Sequence, residues 1–329
     1  MQKWNRRRAL TAGGALGAAL LTGVGTARGA GTAHGAGPST TRPGARPGPL
    51  EIVTGEDGFT FPSSAPRGTT TFRSVSTSAT CGFIGLARLR GGHGEEAFSG
   101  LLRTIFTSQV PQETIRATRE LMATAELFGG AAVHPGVVSY FTSELEPGRY
   151  LLLEYRDFQS DLGRNPAPGQ EYVRTLTVRD GPRARADGAV GADSADGSGG
   201  TAGRPRCSAT LRAVHTSEGP RFVLRGTARA GRPLRYVNSV PEQPDEAIIY
   251  RVDDDAVTEK DVQAFFDGTA PPPFAIASPL GTPPLSPGEG VTLTMPTEPG
   301  RYVAVSWVGS VKDAQPMARH GQHLLFRVR

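Results

Sequence analysis

The chain has 329 residues, with 36 Lys and Arg against 31 Asp and Glu, and its length allows two domains of ordinary size. Five of the basic residues lie within the first 30 positions, which contain no acidic residue, so the rest of the chain is balanced in charge. This balance argues against a nucleic-acid-binding protein, which requires a clustered basic face.

Residues 1–36 have the composition of an export signal. The segment Asn5-Arg6-Arg7-Arg8-Ala9-Leu10 resembles a twin-arginine motif, and a weakly hydrophobic run at 9–24 follows it. An uncleaved membrane anchor is the alternative, but a spanning helix needs about 20 strongly apolar residues and glycines interrupt this run. We therefore expect a secreted or extracytoplasmic protein without a membrane span in the mature chain.

The first predicted domain covers residues 50–180, after a Pro- and Gly-rich segment at 37–49 that we expect to be disordered. Short apolar runs separated by turn residues predict β-strands, one of them at 83–87. Two helical segments, at 95–106 and 113–128, are predicted as an insertion between strands.

The second predicted domain covers residues 207–329 and follows a flexible linker at 181–206, which has almost no large apolar residue. A strand is predicted at 247–251. Thr258 is expected to cap a short helix, with Asp261 at the third helical position.

The two domains carry the same pentapeptide. Glu146-Pro147-Gly148-Arg149-Tyr150 recurs 152 positions later as Glu298-Pro299-Gly300-Arg301-Tyr302, and Gly169-Gln170 recurs as Gly321-Gln322 at the same offset. Two matches in one register indicate a duplicated domain.

The domain outlines resemble the cupredoxin fold, the Greek-key sandwich of blue-copper proteins. Residues 222–238 are similar to the cupredoxin opening that leads to an Asn, the repeated PGRY is similar to the family's PGxY, and residues 313–322 resemble the ligand loop of a cupredoxin subgroup. The resemblance implies a mainly β chain with two Greek-key cupredoxin-like β-sandwich domains and helical insertions.

At the positions that the resemblance assigns to the blue-copper ligands, this chain has other residues. A type 1 site uses two His nitrogens, a Cys thiolate and a weak axial Met. Here Ser306 stands at the Cys position, Met317 at the second His position and Gln322 at the Met position. The first His is matched only by Pro244-Asp245, and Glu154 stands at the Cys position of the first domain. We therefore expect no cofactor and no type 1 site.

The last loop carries residues that suit a different kind of copper site. Met317, His320 and His323 combine a soft thioether with two imidazoles, a set that suits copper. If residues 320–326 form a strand, the two histidines point to opposite faces. Exposed loop histidines beside a buried Met are then the alternative.

An acidic run and a linker serine do not match the motifs of a calcium site or of a catalytic nucleophile. Asp253-Asp254-Asp255 with Glu259 and Asp261 lacks the spacing and glycine of a calcium loop, so an acidic turn before a helix is favoured. Ser198 lies between glycines in the linker, where no rigid oxyanion hole can form. We predict no catalytic residues.

The cysteines and aromatic residues leave two questions open. After export, Cys81 and Cys207 could form a disulfide between the domains, or remain separate thiols. Most aromatic residues at strand positions are expected in the core, whereas the neighbouring rings of Phe265-Phe266 predict a contact surface. The aromatic residues that could form the core or a contact face are Tyr140, Phe141, Tyr150, Tyr155, Phe265, Phe266, Phe274, Tyr302 and Trp307.

These observations predict an exported, non-catalytic binding or interaction protein, whose partner is an extracellular protein or a cell-envelope ligand. The alternative is an extracellular copper-binding or copper-handling protein with a non-blue site near Met317, His320 and His323.

Overall fold

The computed structural model describes residues 48–55, 58–77, 82–155, 173–184, 206–295 and 297–329, without the side chains of 181–184. The predicted export signal, nearly all of segment 37–49, Cys81 and most of the predicted linker lie outside the described residues. No helix in the described ranges is both long and apolar enough to span a bilayer.

The described chain is mainly β. The first half contains β1 (Leu50–Gly55), β2 (Gly58–Thr60), β3 (Ser64–Ser76), β4 (Gly82–Leu89), α1 (Glu95–Thr107), α2 (Pro111–Thr124), β5 (Ala125–Val133), β6 (Val138–Leu145), β7 (Gly148–Glu154) and β8 (Val173–Ala184). Strand β8 thus continues four residues beyond the predicted domain end at 180.

The second half contains β9 (Ala209–Thr216), β10 (Gly219–Gly226), β11 (Leu234–Asn238), β12 (Asp245–Val252), α3 (Glu259–Phe266), β13 (Leu280–Leu285), β14 (Gly290–Thr294), β15 (Gly300–Val305), a 3₁₀ turn (Met317–His320) and β16 (His323–Val328). Thr258 and Asp261 form the predicted capping box at the start of α3.

The predicted helix at 113–128 is wrong at its end. Helix α2 stops at Thr124, and the last four residues of the predicted helix begin β5. Ala125 and Leu127 pair with Leu89 and Ala87 of β4. Sheet pairing therefore overrides the helical preference of this segment.

The two halves share six strand pairings, and the first half has in addition a parallel pairing between its third and eighth strands. In both halves the second strand lies antiparallel on the first, the third lies parallel to the first, and the sixth lies antiparallel on the third. The fourth strand lies between the fifth and seventh, and the eighth lies on the seventh. The domain boundaries themselves stay a prediction.

The two halves share one core and two pairs of joined strands, β6 with β14 and β5 with β13. Strand β6 pairs antiparallel with β14, and Phe141 faces Leu293, which is 152 positions away, the offset of the sequence repeat. Gly130 N donates to Thr282 Oγ1 (2.9 Å), again 152 positions apart. The largest core cluster includes residues from both halves. The halves are therefore related by an approximate twofold axis at this junction.

The repeated pentapeptide has a structural explanation. The phenol of Tyr150 accepts a hydrogen bond from Glu146 N, and the phenol of Tyr302 accepts one from Glu298 N, each at 3.1 Å. Both rings are buried. The pentapeptide is therefore a turn fixed by its own tyrosine, which sets the start of β7 and β15.

The predicted contact surface at Phe265-Phe266 is wrong. The side chains are 3% and 2% exposed. Both rings contact Trp307, at centroid distances of 6.0 and 4.9 Å, and Phe265 also contacts Phe274. Helix α3 buries neighbouring rings because its last turn lies in a hollow lined by aromatic residues from several elements.

Candidate functional site

The most unusual chemistry of the described chain is a buried polar cluster at one end of the second half. Asp245 begins β12, Ser306 follows β15 and Gln322 precedes β16. All three residues have no exposed surface. These are the positions at which the sequence resemblance places the first His, the Cys and the Met of a blue-copper site.

The carboxylate of Asp245 is the centre of this cluster. Its Oδ1 accepts hydrogen bonds from Ser306 Oγ (2.6 Å) and from Glu246 N (2.9 Å). Its Oδ2 accepts a hydrogen bond from the Gln322 amide nitrogen. Three separate segments are thus joined through one carboxylate.

Burial dominates the electrostatics of the cluster. Burial raises the pKa of Asp245 to about 7, against the opposing effect of the hydrogen bonds from Ser306, Gln322 and Glu246 N. Burial also raises the pKa of Tyr236, and the charge of Asp245 adds to that shift. Among the described residues, no cationic side chain forms an ion pair with Asp245.

The cluster does not fit a type 1 copper ion. Such a site requires a thiolate and two imidazoles, whereas the side chains here offer carboxylate, hydroxyl and amide groups. The Ser306 hydroxyl and the Gln322 amide are already engaged by Asp245. Met317 is 4% exposed and belongs to the apolar core.

Two buried amide side chains, those of Asn238 and Gln243, hold the neighbouring loops by hydrogen bonds. Asn238 Nδ2 donates to Gln243 O (2.9 Å) and Leu285 O (3.0 Å), and Asn238 Oδ1 accepts from Val240 N. Gln243 Oε1 accepts from Val311 N at 2.9 Å. These bonds fix the loop after β11 and the loop after β15 relative to each other.

Each half also contains a buried glutamate, which lies on the fourth or on the seventh strand of that half. Glu154 accepts a hydrogen bond from Phe83 N (2.7 Å) in the first half. Glu246 accepts one from Trp307 N (3.0 Å) in the second. The acid is on the seventh strand in one half and on the fourth in the other.

The three residues of the alternative copper site have separate partners. Met317 lies in the core, and His320 Nε2 lies 3.1 Å from Asp313 Oδ1 at the surface. His323 Nδ1 lies 2.6 Å from Glu259 Oε2, and its Nε2 lies 2.9 Å from the Gln263 side-chain oxygen. No group of three or more His, Cys, Asp or Glu side chains is placed to hold a metal within the described part of the chain.

His323 joins α3 to the start of β16. Gln263 donates from its amide nitrogen to Asp267 Oδ1 and to Arg319 O, so its oxygen faces the imidazole. Burial opposes ionisation of Glu259, but hydrogen bonds from His323 and from Leu325 N outweigh it and lower the pKa of Glu259. Both ring nitrogens of His323 therefore lie within hydrogen-bond distance of side-chain oxygens.

The acidic turn is held by arginines. Asp253 Oδ1 lies 3.0 Å from Arg251 Nε, and Asp255 Oδ1 lies 3.2 Å from an Arg327 nitrogen. Arg301 donates to the backbone oxygen of Val257 at 2.7 Å. This turn leads into α3 as the sequence predicted, and the carboxylates of Asp253 and Asp255 have cationic side chains as partners.

The other residues singled out in the sequence are the two cysteines, Ser198 and the aromatic residues. Cys207 Sγ lies 3.9 Å from Thr292 Oγ1, and Cys81 lies outside the described residues, so a disulfide and two separate thiols both stay open. Ser198 lies outside the described residues. The predicted core positions of Tyr150, Tyr155, Phe141, Phe274, Tyr302 and Trp307 are confirmed, and Tyr140 is half-buried.

Sequence reasoning missed three groups of this region. These are the buried carboxylate of Glu246, the phenol of Tyr236 and the Glu259–His323 pair. Two adjacent acids at the start of the apolar run Ala247-Ile248-Ile249-Tyr250 were the available signal, because charged residues inside a buried strand require partners.

No protein-family model matches the chain, and no curated protein matches it. Among solved structures the chain is similar to reduced auracyanin from Roseiflexus castenholzii, with 19% identity over 39% of this chain and 94% of that one, at a TM-score of 0.25. It is also similar to a multicopper oxidase, with 12% identity over 85% of this chain and 88% of that one, at 0.21. A third likeness is auracyanin A, a blue copper protein from Chloroflexus aurantiacus, with 17% identity over 40% of this chain and all of that one, at 0.25. At these scores the fold description rests on the strand pairings.

Proposed function

We propose that this chain is an exported protein of two cupredoxin-like halves that acts by binding a partner, without a type 1 copper site and without catalysis. The partner is an extracellular protein or a cell-envelope ligand.

The observation that carries this proposal is the Asp245 cluster. At the positions where the cupredoxin resemblance places copper ligands, the side chains of Asp245, Ser306 and Gln322 bind one another. Their hydrogen bonds close the loop between β15 and β16 as a metal ion would close it in a cupredoxin-like frame. The scaffold is thereby complete without an ion, and its outer surface is available for recognition.

The first test is copper titration of the protein purified without chelators or a histidine tag. We expect no stoichiometric copper and no affinity better than about micromolar, since no thiolate or imidazole lines the cluster. Stoichiometric copper that is lost in both His320→Ala and His323→Ala would support the copper-handling alternative. His215→Ala, a change at an exposed histidine of β9, is the matched control.

The second test is sedimentation of the protein with cell envelopes. We expect saturable binding that competes with unlabelled protein. Failure to bind envelopes or any secreted protein, together with turnover of a substrate, would overturn the proposal.

A further inference from the structure

Charge is strongly segregated within the second half of the chain. Residues 206–235 contain seven arginines and a single acidic residue, Glu218, whereas residues 242–267 contain nine acidic residues against Arg251 and Lys260. The seven arginines are Arg206, Arg212, Arg221, Arg225, Arg229, Arg232 and Arg235. The balanced total charge of the chain hides this separation.

Four of these arginines lie on one face of the β10–β9–β11 sheet. Leu211, Phe222 and Tyr236 are buried on the inner face, and side chains alternate along each strand, so Arg212, Arg221, Arg225 and Arg235 lie on the outer face. In the strand register, Arg225 faces Thr210, which in turn faces Arg235. The outer face is therefore lined by arginine, threonine and valine side chains.

The other three arginines lie at the adjoining end of the same sheet. Arg206, Arg229 and Arg232 are exposed on the segments that precede β9 and β11. Ser208 N donates to Pro233 O (2.8 Å), and Thr227 N donates to Ser208 O (3.1 Å), so these segments are held together. The loop arginines extend the basic face around the sheet end.

Three arginines of the basic face have no acidic partner. Arg225, Arg229 and Arg232 form no ion pair with any residue that the structure describes. Arg221 lies 3.9 Å from a carboxylate oxygen of Glu218, and its guanidinium donates to the backbone oxygens of Pro220, Glu218 and His320. The acidic turn after β12 has its own arginines, among them Arg251 and Arg327. The two sets are therefore separated, and the field above β9–β11 is positive.

The chemistry of the face indicates its ligand. A guanidinium group presents a planar pair of donors that matches phosphate oxygens. The aromatic residues of these strands, Phe222 and Tyr236, are buried, so this face offers no ring on which a nucleic-acid base could stack. A polymer with regularly spaced phosphates and no bases fits this surface.

We propose that the outer face of β9–β11 and the arginine loops at its end bind a phosphodiester-linked polyol of the cell envelope. This inference rests on the proposed binding function and names the class of its ligand.

The test uses two variants, each with three arginines changed to glutamate, and compares their affinities for purified poly(glycerol phosphate). Arg225→Glu, Arg229→Glu and Arg232→Glu change the basic face. Arg103→Glu, Arg116→Glu and Arg179→Glu make the same change in net charge at exposed positions of the first half. We expect the first triple variant to lose at least tenfold in affinity and to flatten the salt dependence, while the control changes affinity less than threefold.

Each other outcome overturns the inference. Equal losses in both variants would show attraction by net charge alone, and tighter binding of single-stranded DNA than of the polyol polymer would assign the face to nucleic acid. If the wild-type protein binds envelopes but not poly(glycerol phosphate), the inference fails and the proposed binding function stands. If it binds neither, the inference fails, and the proposed binding function then depends on binding to a secreted protein.

Discussion

Asp245 is a buried acid at the centre of a hydrogen-bonded cluster. It is fully buried and bonded to neutral donors, so its negative charge lacks a cationic partner among the described residues. An acidic group of this kind holds its proton in the folded protein at a pH where the unfolded chain has lost it.

This proton gives a prediction for stability against pH. The pKa of Asp245 rises from 3.8 to about 7 on folding, so the folded state binds more protons between those values. The contribution of this residue to the free energy of unfolding is therefore greatest below about pH 4, falls as the pH rises towards 7, and is constant above it. We expect the difference in stability between wild type and Asp245→Asn to change across this window, measured by urea unfolding.

Asp245→Asn keeps an acceptor for Ser306, and the Gln322 amide can turn its oxygen to the new amide group. Asp254→Asn, at an exposed position, is the control. Its free energy of unfolding is expected to change with pH in parallel with that of the wild type. Parallel curves for Asp245→Asn as well would contradict the buried-acid interpretation.

At the scale of elements, α3 is attached by its two ends in different ways. Its first turn is held through Glu259, His323 and the Leu325 amide, and its last turn is held by packing of Phe265 and Phe266 on Trp307. The polar contact therefore orients a helix whose main stabilisation comes from buried aromatic area.

A double-mutant cycle of Glu259→Gln and His323→Gln tests this polar contact. We expect a coupling of roughly 0.5–3 kcal/mol in urea unfolding, because the two groups share a short, half-buried hydrogen bond. The coupling should weaken as the pH falls through the lowered pKa of Glu259, since protonation removes its charge. The exposed pair of Arg251 and Glu298 is the control, with an expected coupling of about 0–1 kcal/mol. Equal coupling in both pairs would count against a special role for His323.

At the scale of the molecule, the two halves are fastened by hydrogen bonds as well as by their shared core. Leu127 N donates to Ser286 Oγ (2.9 Å), and Gly130 N donates to Thr282 Oγ1, both within the buried junction. The side chains of the second half thus satisfy backbone groups of β5 in the first half.

Thr282→Ala tests the importance of this junction. It leaves the buried Gly130 N–H without its acceptor, so we expect the free energy of unfolding to fall by about 1–3 kcal/mol. Thr282→Ser keeps the hydroxyl and should recover part of that loss. No difference between the alanine and serine variants would show that the bond contributes little.

The sequence by itself indicated a mainly β chain, the repeated turn and the capping of α3, because these depend on local spacing and turn chemistry. It also marked Asp245, Ser306 and Gln322 as residues at ligand positions without ligand chemistry. What it could not indicate was that they bind one another, since Asp245 is 61 positions from Ser306 and 77 positions from Gln322 along the chain.

Only the tertiary structure decided three further features. Sheet pairing with β4 converted the end of the predicted helix at 113–128 into β5, and an aromatic hollow buried Phe265-Phe266. The strand register brought scattered arginines to one face of β9–β11, although the total charge had argued against such a face. Burial, pairing and charge clustering are properties of residues distant in sequence, so composition and local pattern do not determine them.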